Sequence, residues 1–150
     1  MQVDRVVAVG SGRHGASSDG EEVSFPEELV EWLLSEFTRP DDLVLDPFAG
    51  FGTTLVVAER MGRRGLGVEL LPERVARIRS RLRDPRSVVE HDARDLAALD
   101  LPAVDCSLSS PPYMTRADHP QNPLTGYQTL DADYDHYLDC LLYTSPSPRD

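Results

Sequence analysis

Leu43-Val-Leu-Asp-Pro-Phe-Ala-Gly-Phe-Gly-Thr-Thr54 is the stretch on which the fold turns. Leu43 to Leu45 is an apolar run too short for a helix. It reads as a buried strand, Pro47 to Gly52 as a turn, and Thr53 to Met61 as a helix that Gly62 can close in the left-handed conformation. A second cycle follows, with a strand over Gly65 to Glu69, a helix over Pro72 to Arg83 that aligns Val75, Ile78 and Leu82, and a strand over Val88 to His91. Leu96 to Leu99 suits a short helix and Val104 to Leu108 a fourth strand. Strands alternating with helices predict an α/β domain, a doubly wound and mostly parallel sheet whose ligands gather at the carboxyl ends of the strands.

Upstream, Val6 to Val9 is β-prone, and Gly10 to Gly20, with His14, reads as a loop. Ser24 and Glu27 have capping-box spacing, Pro26 is tolerated at a helix start, and Leu29, Val30, Leu33, Leu34 and Phe37 form one apolar stripe. Downstream, Asp118 to Thr129 is loop-like, and Asp133 to Leu138 begins a helix. Cys140 to Asp150 reads as the in-frame translation of a transposase-type sequencing adapter and is set aside from fold reasoning. The expected division is therefore 1–24 as a strand and loop, 25–139 as the N-terminal part of the main domain, and 140–150 as non-native. The sheet is expected to be incomplete at its C-terminal side, and this chain alone to be inactive.

The 150 residues suffice for one core. Apolar runs are far shorter than the roughly 20 residues a membrane helix needs, and no basic-then-apolar leader opens the chain, so a cytoplasmic location is expected. A net charge of −11 excludes the segment as a phosphate-gripping surface in its own right. Every basic residue is Arg, which fits a GC-rich coding sequence. Setting the tail aside leaves Cys106, whose place in an apolar strand predicts a small buried side chain rather than a nucleophile; no disulfide framework and no metal site are expected.

Three strand ends carry candidate chemistry. Gly50 and Gly52 let backbone pass close to a ligand, and Thr53 and Thr54 open a helix whose free amides favour polar groups. Asp46 ends its strand where a carboxylate can accept from a cationic amine, Pro47 follows it, and Phe48 can wall a flat ring. Glu69 ends the next strand about twenty residues on, where an acid can bind ribose hydroxyls or cap the helix that begins at Pro72. Asp92 can accept from an adenine amine or cap the next short helix. Farther on, Ser110-Pro111-Pro112-Tyr113 locks the backbone, removes two amide donors and offers a hydroxyl, carbonyl oxygens and a stacking face. That suits an amine on a planar ring, and a base must be single stranded or flipped to reach it.

In combination these residues resemble the DNA amino-methyltransferases that act on cytosine N4 or adenine N6. The resemblance runs from about Phe25 to Tyr113 and implies a Rossmann-like class I fold with S-adenosyl-L-methionine as cofactor. It assigns Asp46, Pro47, Phe48, Ala49, Gly50, Gly52, Thr53 and Thr54 to the cofactor loop, Glu69 to the ribose, Asp92 to the adenine, and Phe25 to the methionine moiety. Ser110, Pro111, Pro112 and Tyr113 correspond to the catalytic loop. The cofactor loop precedes the catalytic loop, unlike the order in many N4-cytosine enzymes, whereas Ser at the first catalytic position is similar to the N4-cytosine members. The implied function is site-specific DNA methylation by direct in-line transfer, with DNA as partner, a restriction endonuclease as an open question, and no membrane role. RNA base-amine methylation and cofactor binding without catalysis are the competing expectations.

Overall fold

The computed structural model describes residues 6–8 and 26–110, the former as backbone. Five parallel strands form one sheet in the order β1-β5-β2-β3-β4, where β1 is Val6–Ala8, β2 Leu43–Asp46, β3 Arg64–Glu69, β4 Val88–Glu90 and β5 Cys106–Ser109. The β-prone run at Val6 thus becomes an edge strand beside β5, with Val6 opposite Ser107 and Ala8 opposite Ser109. Helices α1 (Glu27–Phe37), α2 (Thr53–Arg60) and α3 (Pro72–Arg79) connect the first strands.

Alternation along β2 assigns the two faces. Val44 packs with Val30, Leu33 and Leu34 of α1, Val57 and Ala58 of α2, and Leu108. Leu43 and Leu45 point the other way, onto Val104, Leu66 and Leu101. Among the described residues, then, the three helices share one face, and the segment after a 3-10 stretch at Ala93–Ala98 covers the other. None of these helices is long and apolar enough to cross a membrane.

The second helical unit packs tightly because β3 carries glycine where α2 lands. A Cβ on Gly67 would lie 2.8 Å from Leu55 Cδ2 and 3.0 Å from Ala49 Cβ. Leu55 is buried there with Val75, Ile78, Leu82 and Val88, a burial that contributes ~2 kcal/mol for one leucine.

Several details depart from the expected elements. Pro26 is the N-cap of α1 rather than a residue inside it, and among the described residues no side chain caps that end; Ser24 of the expected capping box lies outside them. Phe37, expected on the apolar stripe, is 37% exposed, while Trp32 on the same helix is 57% exposed. Helix α3 ends at Arg79 instead of Arg83. There the Ser80 hydroxyl donates to the Arg77 carbonyl, and the Arg83 and Asp84 amides donate to the Glu59 carboxylate of α2. The chain leaves the helix for those acceptors, yet Leu82 stays buried in the α2–α3 core.

Candidate ligand site at the strand ends

Asp46, Glu69 and Ser109 are the last residues of β2, β3 and β5, so the parallel sheet brings them to one end. Asp46 is buried. Its Oδ1 accepts from the Phe48 amide at 3.1 Å and from the Ser109 hydroxyl at 2.9 Å. Burial raises its carboxyl from 3.8 to about 6; the Thr54 hydroxyl, Ser109 and the Phe48 amide favour the charged form, and the negative charge of Glu69 adds to the rise. The Thr54 Oγ1 nonetheless makes no hydrogen bond of ordinary geometry, and it is buried. We regard it as a nearby dipole rather than a formed bond to Asp46.

The turn after β2 is fastened on two sides. The Ala49 amide donates to the Val68 carbonyl at 2.9 Å, and the Gly52 amide donates to the Ala49 carbonyl at 2.7 Å. Gly52 has φ +79 and forms the left-handed entry to α2, where a Cβ would approach Ile78 to 2.9 Å. Both a handedness constraint and a close approach therefore require glycine. Pro47 and Ala49 are buried, whereas Phe48, Gly50 and Thr53 are half-buried.

Glu69 is buried and bridges two segments. Its Oε2 accepts from the Gly50 amide at 2.9 Å and its Oε1 from the Leu71 amide at 2.9 Å. The carboxylate thereby ties the turn after β2 to the start of α3. Asp92 caps the 3-10 stretch by accepting from the Arg94 amide, and its carboxylate pairs with the Arg94 guanidinium at 2.5 Å. The Arg94 hydrogen bonds hold its carboxyl below the ordinary value. The capping alternative for Asp92 is thus realised.

Ser110 is described and half-buried, directly after β5. Phe25, Pro111, Pro112 and Tyr113 lie outside the described residues, as does the stretch 140–150.

Two features escaped the sequence reading. The apolar run ends the expected fourth strand at Leu108, whereas β5 continues to Ser109, whose alternation with Ser107 is the signal. Phe51, between the two glycines, is the other. The guanidinium carbons of Arg74 and Arg77 stand 4.7 and 5.2 Å from its ring centroid, and Arg81 Nη1 donates to its carbonyl at 2.6 Å. Arginines at i, i+3 and i+7 were the available signal. A separate polar groove, lined by Thr38, Arg39, Asp42 and Asp105, lies at the amino ends of the strands and away from this site.

A family profile for DNA methylases matches residues 9–80. The chain is similar to the type II methyltransferase M2.DpnII of Streptococcus pneumoniae, 46% identical over 57 residues that make up 38% of this chain and 21% of that protein. It is also similar to the type II methyltransferase M.PvuII of Proteus hauseri, 48% identical over 52 residues, 35% of this chain and 16% of the other. The matched stretch thus spans about a fifth of the length of these curated relatives. Among solved structures, PH1948 from Pyrococcus horikoshii, a proposed RNA methyltransferase, superposes with a TM-score of 0.50 at 22% identity, covering 59% of this chain and 46% of that one. That likeness bears on the fold, a Rossmann-like methyltransferase sheet.

Proposed function

We propose, from the match of residues 9–80 to the DNA methylase family profile, that the intact protein is an S-adenosyl-L-methionine-dependent DNA methyltransferase acting on an exocyclic base amine, cytosine N4 in preference to adenine N6. The observation that carries the reading is the convergence of Asp46, the Glu69-held Gly50 amide and Ser109-Ser110 at one end of the parallel sheet.

The residues present suit the cofactor. The buried Thr54 hydroxyl, without a hydrogen bond of ordinary geometry, marks a polar spot at the start of α2. Asp46 is an acceptor for a cationic amino group, and the Glu69 carboxylate, at the end of β3, is an acceptor for ribose hydroxyls. Asp92 and Phe48 are assigned to the adenine, Asp92 sharing its carboxylate with Arg94. Phe25 is assigned to the methionine moiety. When bound, the cofactor supplies a methyl group activated by its sulfonium charge.

On the substrate side, Ser110 and the Pro111 carbonyl are to accept hydrogen bonds from the N–H groups of the target amine, which localises its lone pair on nitrogen, and Pro112 and Tyr113 are to orient and stack the ring. The base leaves the duplex to reach them. Serine at the first position of that loop is the ground for favouring cytosine.

The test supplies the full-length protein with radiolabelled S-adenosyl-L-methionine and either duplex DNA or structured RNA, followed by nucleoside mass spectrometry. Label in DNA as N4-methylcytosine is expected. Label confined to RNA transfers the reading to an RNA base-amine methyltransferase, N6-methyladenine overturns the cytosine preference, and absence of cofactor binding defeats the whole assignment.

A further inference from the structure

The bond between Ser109 and Asp46 spans 63 residues and ties the end of β5 to the end of β2. Backbone pairing does not make that link: the β2–β5 register consists of Val44 with Cys106 and Leu45 with Ser107, and it stops short of both residues. Asp46 Oδ1 accepts from Ser109 and from the Phe48 amide together. One buried oxygen atom therefore fixes the first residues of the glycine turn relative to the residue that precedes Ser110.

We propose that Ser109 is a positioning residue that acts through Asp46 to hold Ser110 in register with the turn at 47–52. The catalytic consequence rests on the function proposed above, while the latch itself does not. The groups facing Asp46 are the Ser109 hydroxyl from β5, the Thr54 hydroxyl from α2, the Glu69 carboxylate from β3 and the Phe48 amide from the turn. Of these only Glu69 is charged. A hydroxyl donor binds a carboxylate more strongly than a neutral acid, so the latch is firmest when Asp46 is ionised.

The first arm uses the 150-residue chain without cofactor. Carbon-13 NMR follows the Asp46 carboxyl, and amide shifts of Phe48 and Ser110 are read along the same pH series. In wild type both amides are expected to follow the Asp46 titration. In Ser109→Ala the Asp46 midpoint is expected to rise by roughly 0.5–1 pH unit, from a lost bond of about 1 kcal/mol. Phe48 should still respond and Ser110 should not, and Ser109→Thr should restore both behaviours. An unmoved midpoint, or a Ser110 amide that still follows Asp46 in Ser109→Ala, overturns the latch. If Ser109→Ala does not fold, Ser109→Cys, whose thiol is only a weak donor, gives the same readout with a smaller shift.

The second arm uses the full-length protein at pH 8. A fall in kcat of about tenfold for Ser109→Ala, with cofactor affinity within about twofold of wild type and rescue by Ser109→Thr, is expected if transition-state positioning is lost. Unchanged kcat, or parallel loss of kcat and cofactor affinity, overturns the positioning role. Failure of wild type to bind cofactor defeats the methyltransferase reading and leaves the NMR arm to decide the latch.

Discussion

Glu69 accepts the Gly50 amide on one carboxylate oxygen and the Leu71 amide on the other, so a single buried side chain fastens the turn after β2 to the start of α3. The acid proposed to bind ribose also shapes the loop that lies beside it. Glu69→Gln keeps size and removes charge, but its amide group turns a donor towards one of two backbone donors. A loss of stability of ~1–3 kcal/mol is expected from the stranded N–H. Urea unfolding should show it, and calorimetry with S-adenosyl-L-methionine should show at least a tenfold weaker affinity. Unchanged affinity in a folded Glu69→Gln protein counts against the ribose role.

Gly52 meets two independent obstacles to substitution, a φ of +79 and an approach of 2.9 Å to Ile78 Cγ1 and Cγ2. Left-handed backbone costs a non-glycine residue about 1–2 kcal/mol, and overpacking adds roughly 1–3 kcal/mol. Gly52→Ala is therefore expected to lose on the order of 2–5 kcal/mol. In a double-mutant cycle, Ile78→Ala should relieve the clash and leave the backbone cost. Full additivity of the two substitutions would show that the contact with Ile78 is not the cause.

The alternation of strands and helices was legible because apolar spacing distinguishes a buried strand from a helix with one apolar face. The glycine turn was legible for a similar local reason. What required coordinates was contact across sequence. Ser109 meets Asp46 over 63 residues, and nothing near either residue encodes the other. The early end of α3 depends on Glu59, a residue of α2, accepting the Arg83 and Asp84 amides, so the periodicity of Val75, Ile78 and Leu82 alone overran it. Asp92 shows another limit: its place after the third strand permitted capping as well as ligand binding, and the fold shows the cap, with Arg94 as a partner that its position alone did not name.

Phe51 sits between Gly50 and Gly52 with Arg74 and Arg77 against its ring. Each such contact contributes ~0.5–1 kcal/mol at a partly exposed site. Phe51→Leu, which keeps apolar bulk and removes the π face, is expected to lose about 1 kcal/mol. Phe51→Tyr should lose almost nothing. Guanidinium unfolding of the two variants checks the contrast, and equal losses would assign the effect to shape rather than to the ring quadrupole.

Burial of Asp46 makes its ionised form costly in the folded state, since its carboxyl stands at about 6 against an ordinary 3.8. The stability linked to the neutral side chain is fully present below about 3.8 and is lost as pH rises through about 6, the direction required when folding raises an acid's pKa. That displacement corresponds to ~3 kcal/mol. Compared with Asp46→Asn, wild type should therefore gain about 2.5 kcal/mol of relative stability between pH 7.5 and pH 4, most of the full displacement. Subtracting the two unfolding curves cancels the titrations they share. Cofactor affinity should run the other way, weakening as pH falls below about 6, because the acceptor for the cationic amine is the charged carboxylate. A flat difference between wild type and Asp46→Asn over that range would refute titration of the buried carboxyl, and pH-independent affinity would detach Asp46 from the cofactor.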